Sequence, residues 1–416
     1  MYDFITETYT AKRELLTYAE KLSKGFSHPD QKFVSDMTYG IIASGSVILS
    51  DISDVLMEDI DKGNTVERLS RHLKEGLPAG IRTNHAIAIR GDIPKDPVIL
   101  LDDSDIVKPY GKKFESLGRV RDGSSKEFKL ENGYWVTEAV ALSKENQPIS
   151  LYSRVYSQAE KEFKSTNTHT YEAIDDAVKQ IRGIATFVFD RGFDTNEVYK
   201  KLYAKEQHFI IRLTEKRKVF YKGKWYKATT LMKSRKGKFK TTLKFRSGEK
   251  ECYVSFINVQ ITASKKPLKL VLIYGLGEMP MMLATNKPIL GKDDVVEICR
   301  MYLSRWRIEE YFRFKKQHFG FENFRVRSLI AINALNLMLT FSISFLNRII
   351  GKKMGHRLKE AVYEKAKSVR EKVLFHYYRI AKGLAAILAG ARTGIKDWYK
   401  SRPRVKSPQL SFNFRC

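Results

Sequence analysis

Residues 301–320, MYLSRWRIEEYFRFKKQHFG, decide how the rest of the chain is read. There is no Gly or Pro from Lys292 until Gly320, so the segment reads as one long helix. At about 100° per residue, Tyr302, Arg305, Glu309 and Lys316 fall within roughly 60° of arc. A phenol, a guanidinium, a carboxylate and an ammonium then point the same way. Met301, Ile308 and Phe312 flank that arc and can pin the helix to a core. Charges at such spacing often only decorate a solvated face. One carboxylate among fixed cations also suits a metal site that grips a phosphodiester.

Two upstream stretches share a pattern. Val98-Ile99-Leu100-Leu101 reads as a buried strand running into Asp102-Asp103-Ser104-Asp105. Ile184 to Phe189 reads as another, running into Asp190-Arg191-Gly192-Phe193. A carboxylate at a strand tip is rigidly placed and half exposed, as a metal ligand needs to be. An Asp- and Ser-rich turn is the plainer alternative for the first. Asp194 reads as the N-cap of a helix over 195–202. Lys108 and Arg191 are candidate phosphate contacts, with a solvated lysine and an ion-pair partner as the alternatives.

Tyr-x2-Arg-x3-Glu-x6-Lys resembles the YREK signature of a family of bacterial insertion-sequence DDE transposases, which cut and paste DNA through hairpin ends. Arg305-Trp306 with Ile308-Glu309-Glu310 is similar to that family's RW-x-IE helix, and Leu283-Ala284-Thr285-Asn286 to its LxTN strand. The resemblance selects Asp102, in an Asp-x-Ser context, as first acid, with Asp103 as its neighbour and rival. It selects Asp190, in Asp-x-Gly-Phe, as second acid and Glu309 as third. It implies an α/β fold with an RNase H-like core over 93–350 and a β-rich insertion at about 214–266. Asp102, Asp190 and Glu309 would be both catalytic residues and ligands of two Mg²⁺ ions, with Mn²⁺ as a possible substitute. Tyr302, Arg305 and Lys316 would bind DNA phosphate. The implied partners are double-stranded DNA, as terminal inverted repeats and target, and a second copy of the chain in a synaptic homodimer. A nuclease or recombinase without strand transfer, and an inactive DNA-binding derivative, are the rival readings.

Composition agrees with a polyanion partner. Lys and Arg number 75 against 47 Asp and Glu, for a net charge of +28. The N-terminus lacks a basic-then-apolar signal layout. The apolar segment 329–345 is interrupted by Asn333, Asn336, Thr340, Ser342 and Ser344 and reads as a buried helix, so no membrane partner is expected. Cys252, Cys299 and Cys416 suit neither a disulfide framework nor a zinc site. A cytoplasmic, nucleoid-associated location is expected.

Residues 1–92 read as helical (9–24, 33–56 and 65–77), either a DNA-binding region or a plain bundle. Strands are expected at 134–142, 148–156, 208–213, 268–274 and 281–285, with a helix at 171–181. Lys233-Ser234-Arg235-Lys236-Gly237-Lys238 reads as a phosphate-contacting loop or a solvated tip. Trp225 reads as a core residue. The region 351–416 carries 17 Lys and Arg against 4 Asp and Glu. It is expected to contact DNA or a second subunit, partly helical over 359–388 and with a Pro- and Arg-rich end at 401–404.

Overall fold

The computed structural model describes residues 2–123, 129–245, 248–351, 356–367 and 374–400. The expected Pro- and Arg-rich end and Cys416 lie outside them.

Five helices come first: α1 (Tyr2–Leu22), α2 (His28–Ser44), α3 (Leu49–Leu56), α4 (Lys62–Glu75) and α5 (Ile81–Ile89). The helix expected over 33–56 is two, α2 and α3, bent by 97°. Gly45 caps α2 at φ 64, a left-handed turn that glycine enters at little cost. The short α5 had no periodic signal strong enough to single it out.

A twelve-stranded mixed sheet organises the described residues that follow. Its first half contains β1 (Val98–Val107), β2 (Gly118–Arg121), β3 (Leu130–Leu142), β4 (Pro148–Tyr156), β5 (Thr186–Phe189) and β6 (His208–Arg212). β3 runs antiparallel to β1, β2 and β4. β5 runs parallel to β1, and β6 parallel to β5. Parallel neighbours need a covering crossover. These are α6 (Thr166–Gln180) before β5 and α7 (Asn196–Ala204) before β6. All four residues of β5 are buried, as a strand covered on both faces requires.

The second half continues the same sheet through β7 (Lys218–Tyr221), β8 (Lys224–Lys227), β9 (Phe239–Phe245), β10 (Gly248–Ile261), β11 (Lys266–Tyr274) and β12 (Met281–Thr285). β6, β12, β11 and β10 pair in that order, and β10 carries both β7 and β9. A short helix, α8 (Ala228–Lys233), follows the β7–β8 hairpin. Asp194 ties this half to the first. Its carboxylate accepts from Tyr199 Oη at 2.9 Å, Thr214 N at 2.9 Å and Arg217 Nε at 2.8 Å. It is therefore not the cap of α7; Thr195 is, its hydroxyl accepting from Val198 N.

After the sheet come α9 (Lys292–Leu303), α10 (Trp306–Gln317), α11 (Leu329–Ile350), α12 (His356–Lys365), α13 (Tyr377–Leu388) and α14 (Lys396–Lys400). The helical content expected over part of 359–388 is supplied by α12 and α13. By length and composition α11 is apolar enough to cross a membrane, yet 83% of its most apolar window is buried in the protein. It packs on β4 and on α2 and α4.

The polar residues of α11 face inward. Ser344 Oγ sits 3.0 Å from Nε2 of His85 on α5. Burial pushes His85 down to about 3. Its unfolded counterpart titrates near pH 6.5. Between those values the unfolded state holds more protons, so stability is full above pH 6.5 and is lost as pH falls. Lowering pH from 7 to 5 is expected to cost up to about 2 kcal/mol through this residue. Urea unfolding of His85→Gln should show a flatter pH dependence than the parent; the same dependence in both would acquit His85.

Candidate active site

The parallel β1–β5 register pairs Leu100 with Val188. Asp102 and Asp190 each lie two residues beyond that pair, so the register carries them to the same end of adjacent strands. Asp102 is not at a strand tip, as expected from sequence. β1 parts from β5 but stays paired with β3 as far as Val107, and Asp102 lies opposite Glu138. Strand alternation turns Asp102 and Asp103 to opposite faces. Asp103 takes the Thr137 hydroxyl. Asp102 Oδ2 accepts from Arg305 Nη1 at 3.0 Å, and its Oδ1 accepts from the Asp103 amide at 3.0 Å.

The single helix expected over 292–320 is broken between α9 and α10. Ser304 Oγ donates to Met301 O at 2.6 Å, and Arg305, Arg307 and Ile308 make amide bonds three residues back. Hydroxyl back-bonding and a tightened turn interrupt the regular ladder here. Tyr302, at the end of α9, is 4% exposed, and its hydroxyl donates to Asp190 Oδ1 at 3.2 Å. Arg305, in the break, donates from Nη2 to Glu309 Oε1 at 2.6 Å while its Nη1 holds Asp102. One guanidinium thus joins the carboxylates of β1 and α10, and one phenol, three residues before it in the chain, holds the carboxylate in the turn after β5. Lys316 sits about two turns beyond Glu309, 3.3 Å from both Asp105 Oδ2 and Glu322 Oε1.

The charges explain the titration shifts. Burial pushes Asp102 up to about 7; Asp103 and Asp190 add repulsion, and Arg305 offsets only part. Burial also takes Asp103 up to about 6, against its bond from Thr137. Tyr302 rises to about 12 through burial and the nearby Asp190. Burial acts to lower Arg305, but Asp102, Glu309 and Asp190 outweigh it and hold the guanidinium firmly protonated. Hard carboxylate oxygens short of positive charge suit Mg²⁺ or Mn²⁺ in chemistry. Among the described residues no group of three His, Cys, Asp or Glu is disposed to hold a metal ion. Arg305 bridges Asp102 and Glu309 instead.

Two groups at or beneath the site escaped the sequence reading. Arg212, ending β6, places Nη1 3.9 Å from Asp190 Oδ1; a basic residue closing the apolar run HFIIR was the available signal. Lys315, the neighbour of Lys316, is buried on Glu138 and donates to Asn336 Oδ1 at 2.6 Å and Thr340 Oγ1 at 3.1 Å. Lys108 is also buried, not solvated; its ammonium donates to Phe324 O at 2.8 Å and lies 3.6 Å over that ring. Trp225 is 45% exposed on β8, against the expectation of core packing. In the 233–238 run, Arg235 Nη2 donates to Tyr221 Oη at 2.7 Å. Arg191 is exposed.

A family model described as "Transposase DDE domain" matches residues 160–345. That span contains Asp190, Tyr302, Arg305, Glu309 and Lys316 and begins after Asp102. No curated protein matches the chain. Among solved structures, the "Cryo-EM structure of piggyBac transposase synaptic complex with hairpin DNA" is similar at a TM-score of 0.48 and 11% identity. The match covers 98% of this chain and 83% of that one.

Proposed function

We propose that the chain is a cut-and-paste DDE transposase of the bacterial insertion-sequence, YREK-signature type. The observation that carries this reading is the convergence of Asp102, Asp190 and Glu309 on Arg305 and Tyr302, within and beside the stretch that matches a transposase DDE domain. The strand order β4-β3-β1-β5-β6, with β1, β5 and β6 parallel, supports an RNase H-like core.

In this reading Asp102, Asp190 and Glu309 would hold divalent metal once Arg305 releases Asp102 and Glu309. When bound, Mg²⁺ supplies a Lewis acid and a nucleophile activated at neutral pH. Arg305 then gives up carboxylates for phosphate, which its planar fork grips in two places. Lys316 adds a point charge beside it, and Tyr302 holds Asp190 in place or donates its hydroxyl to a terminal phosphate. The DNA partners are the element's inverted repeats and the target, engaged by a synaptic homodimer.

The test is cleavage of duplex DNA carrying the repeats that flank the gene, with Mg²⁺ and with chelator. Cleavage at the repeat ends with Mg²⁺, none with chelator, and joining of 3′-hydroxyl ends to a second duplex are expected. Cleavage that ignores the chelator, or no cleavage with either Mg²⁺ or Mn²⁺, would sink the assignment. Cleavage without joining would favour the nuclease reading.

A further inference from the structure

A cleft of about 690 Å³ lies between α4 and the loop that leads into α11. Lys74 of α4, Lys113 of the loop after β1, and Arg325 and Arg327 line it, with Ser70, Ser328 and one carboxylate residue, Glu115, whose Oε2 is engaged by Leu329 N. All four cations are exposed. Elsewhere the chain pairs its partly buried cations: Arg68 with Asp36 and Glu58, Arg217 with Asp194, Arg305 with Asp102 and Glu309. Among the described residues, no carboxylate lies in ion-pair range of the side chains of Lys74, Lys113, Arg325 or Arg327. Four like charges brought together without partners cost free energy unless an anion joins them.

The loop holds its arginines on a fixed platform. Burial alternates along it: Phe324 and Val326 face in, Arg325 and Arg327 face out. Phe324 O accepts from the buried Lys108, Arg327 O accepts from Glu115 N at 3.0 Å, and Leu329 N donates to Glu115 Oε2 at 2.7 Å. Residues two apart in extended chain lie about 6.6–6.8 Å from one another, close enough for each to meet a successive phosphate of one strand.

Phe114 lines both this cleft and a second one of about 860 Å³. The second holds Glu309 and Lys316, and its other charged lining is Asp105, Asp122 and Glu322 with Lys108 and Arg313. A polyanion therefore meets mixed charge at the Glu309 cleft and an excess of positive charge at the one next to it. The basic cleft offers no free aromatic face for a base: Phe114 packs edge-on against Phe324 at 5.8 Å and lies under Lys108. Its recognition chemistry is for phosphate, not for bases.

We infer that the Lys74–Lys113–Arg325–Arg327 cleft binds the sugar–phosphate backbone of duplex DNA beside the Glu309 cleft, without reading sequence. This rests on the proposed transposase reading, and its test separates the two. Binding of the full chain to a duplex carrying the flanking repeats, and to an unrelated duplex, is measured by fluorescence anisotropy across a salt series. Each phosphate contact contributes about 0.9 to the slope of log K against log salt. Arg325→Ala with Arg327→Ala should lower that slope by about 2 and weaken both duplexes equally, by about tenfold or more at 0.15 M salt. Arg325→Lys with Arg327→Lys should restore most of the slope, which a folding defect would not allow. Cleavage at saturating DNA should stay near the parent rate. An unchanged slope, a loss confined to the repeat duplex, or a loss confined to single strands would overturn the inference. These binding readouts stand even where the chain cleaves nothing.

Discussion

Asp102→Ala, Asp190→Ala and Glu309→Ala are each expected to lower Mg²⁺-dependent strand cleavage on the order of 10³-fold or more. A divalent ion contributes several kcal/mol to a phosphoryl-transfer transition state, and each 1.36 kcal/mol is about tenfold in rate. Duplex binding should change little, because removing a carboxylate removes repulsion and not a phosphate contact. Asp103→Ala is the informative control. Asp103 faces Thr137 across β3 and not Arg305, so its loss should cost less than about tenfold. Single-turnover cleavage of a repeat-ended duplex measures all four. Near-parental cleavage by Asp102→Ala, with collapse in Asp103→Ala, would exchange the two assignments.

The second large effect concerns stability. Lys315 and Glu138 have side chains 2% and 0% exposed. Glu138 also accepts from Ser150 Oγ at 2.9 Å and Ser153 Oγ at 2.7 Å. Burial drives the Lys315 ammonium downward, and Glu138 opposes that shift. Removing one partner strands the other as a lone charge in the core. Lys315→Met or Glu138→Leu alone should therefore cost about 3–5 kcal/mol. The double variant should lose clearly less than the two losses added, because neither charge is then left behind. Urea unfolding at neutral pH measures the cycle. Additive losses would mean that the two groups do not act as a pair.

Much of the sheet was legible in sequence because its strands carry apolar runs buried on both faces. Pro148–Tyr156 and Met281–Thr285 were bounded correctly by their flanking turns and loops. β1 was cut short because its apolar run stops at Leu101. Its last six residues are held by pairing with β3, a non-local contact that Asp and Ser do not advertise. The break at Ser304 was invisible for the opposite reason. Neither Ser nor Arg forbids helix, and only a hydroxyl turned back on Met301 O ends the regular ladder. The convergence of Tyr302, Arg305 and Glu309 survives that break because the turn is tight. The ion pairs of Lys316 with Asp105 and Glu322 were not legible, since they depend on the loop after α10 and on the length of β1. Arg212 and Lys315 went unnoticed because a single basic residue beside apolar ones has no periodic signature.

The seating of α10 on the core has one more consequence. α10 carries its ionic residues in adjacent duplicates, Glu309-Glu310 and Lys315-Lys316. Rolling the helix by one residue, about 100°, would offer Glu310 where Glu309 stands and trade one ammonium for the other. Lys316 would then stand in for Lys315 on Glu138, Asn336 and Thr340, but the same roll would push Glu309 and Lys315 into the places of the fully buried Ile308 and Phe314. Those two apolar side chains thus act as the phase reference, deciding from beneath which glutamate meets Arg305 and which is left to Arg313.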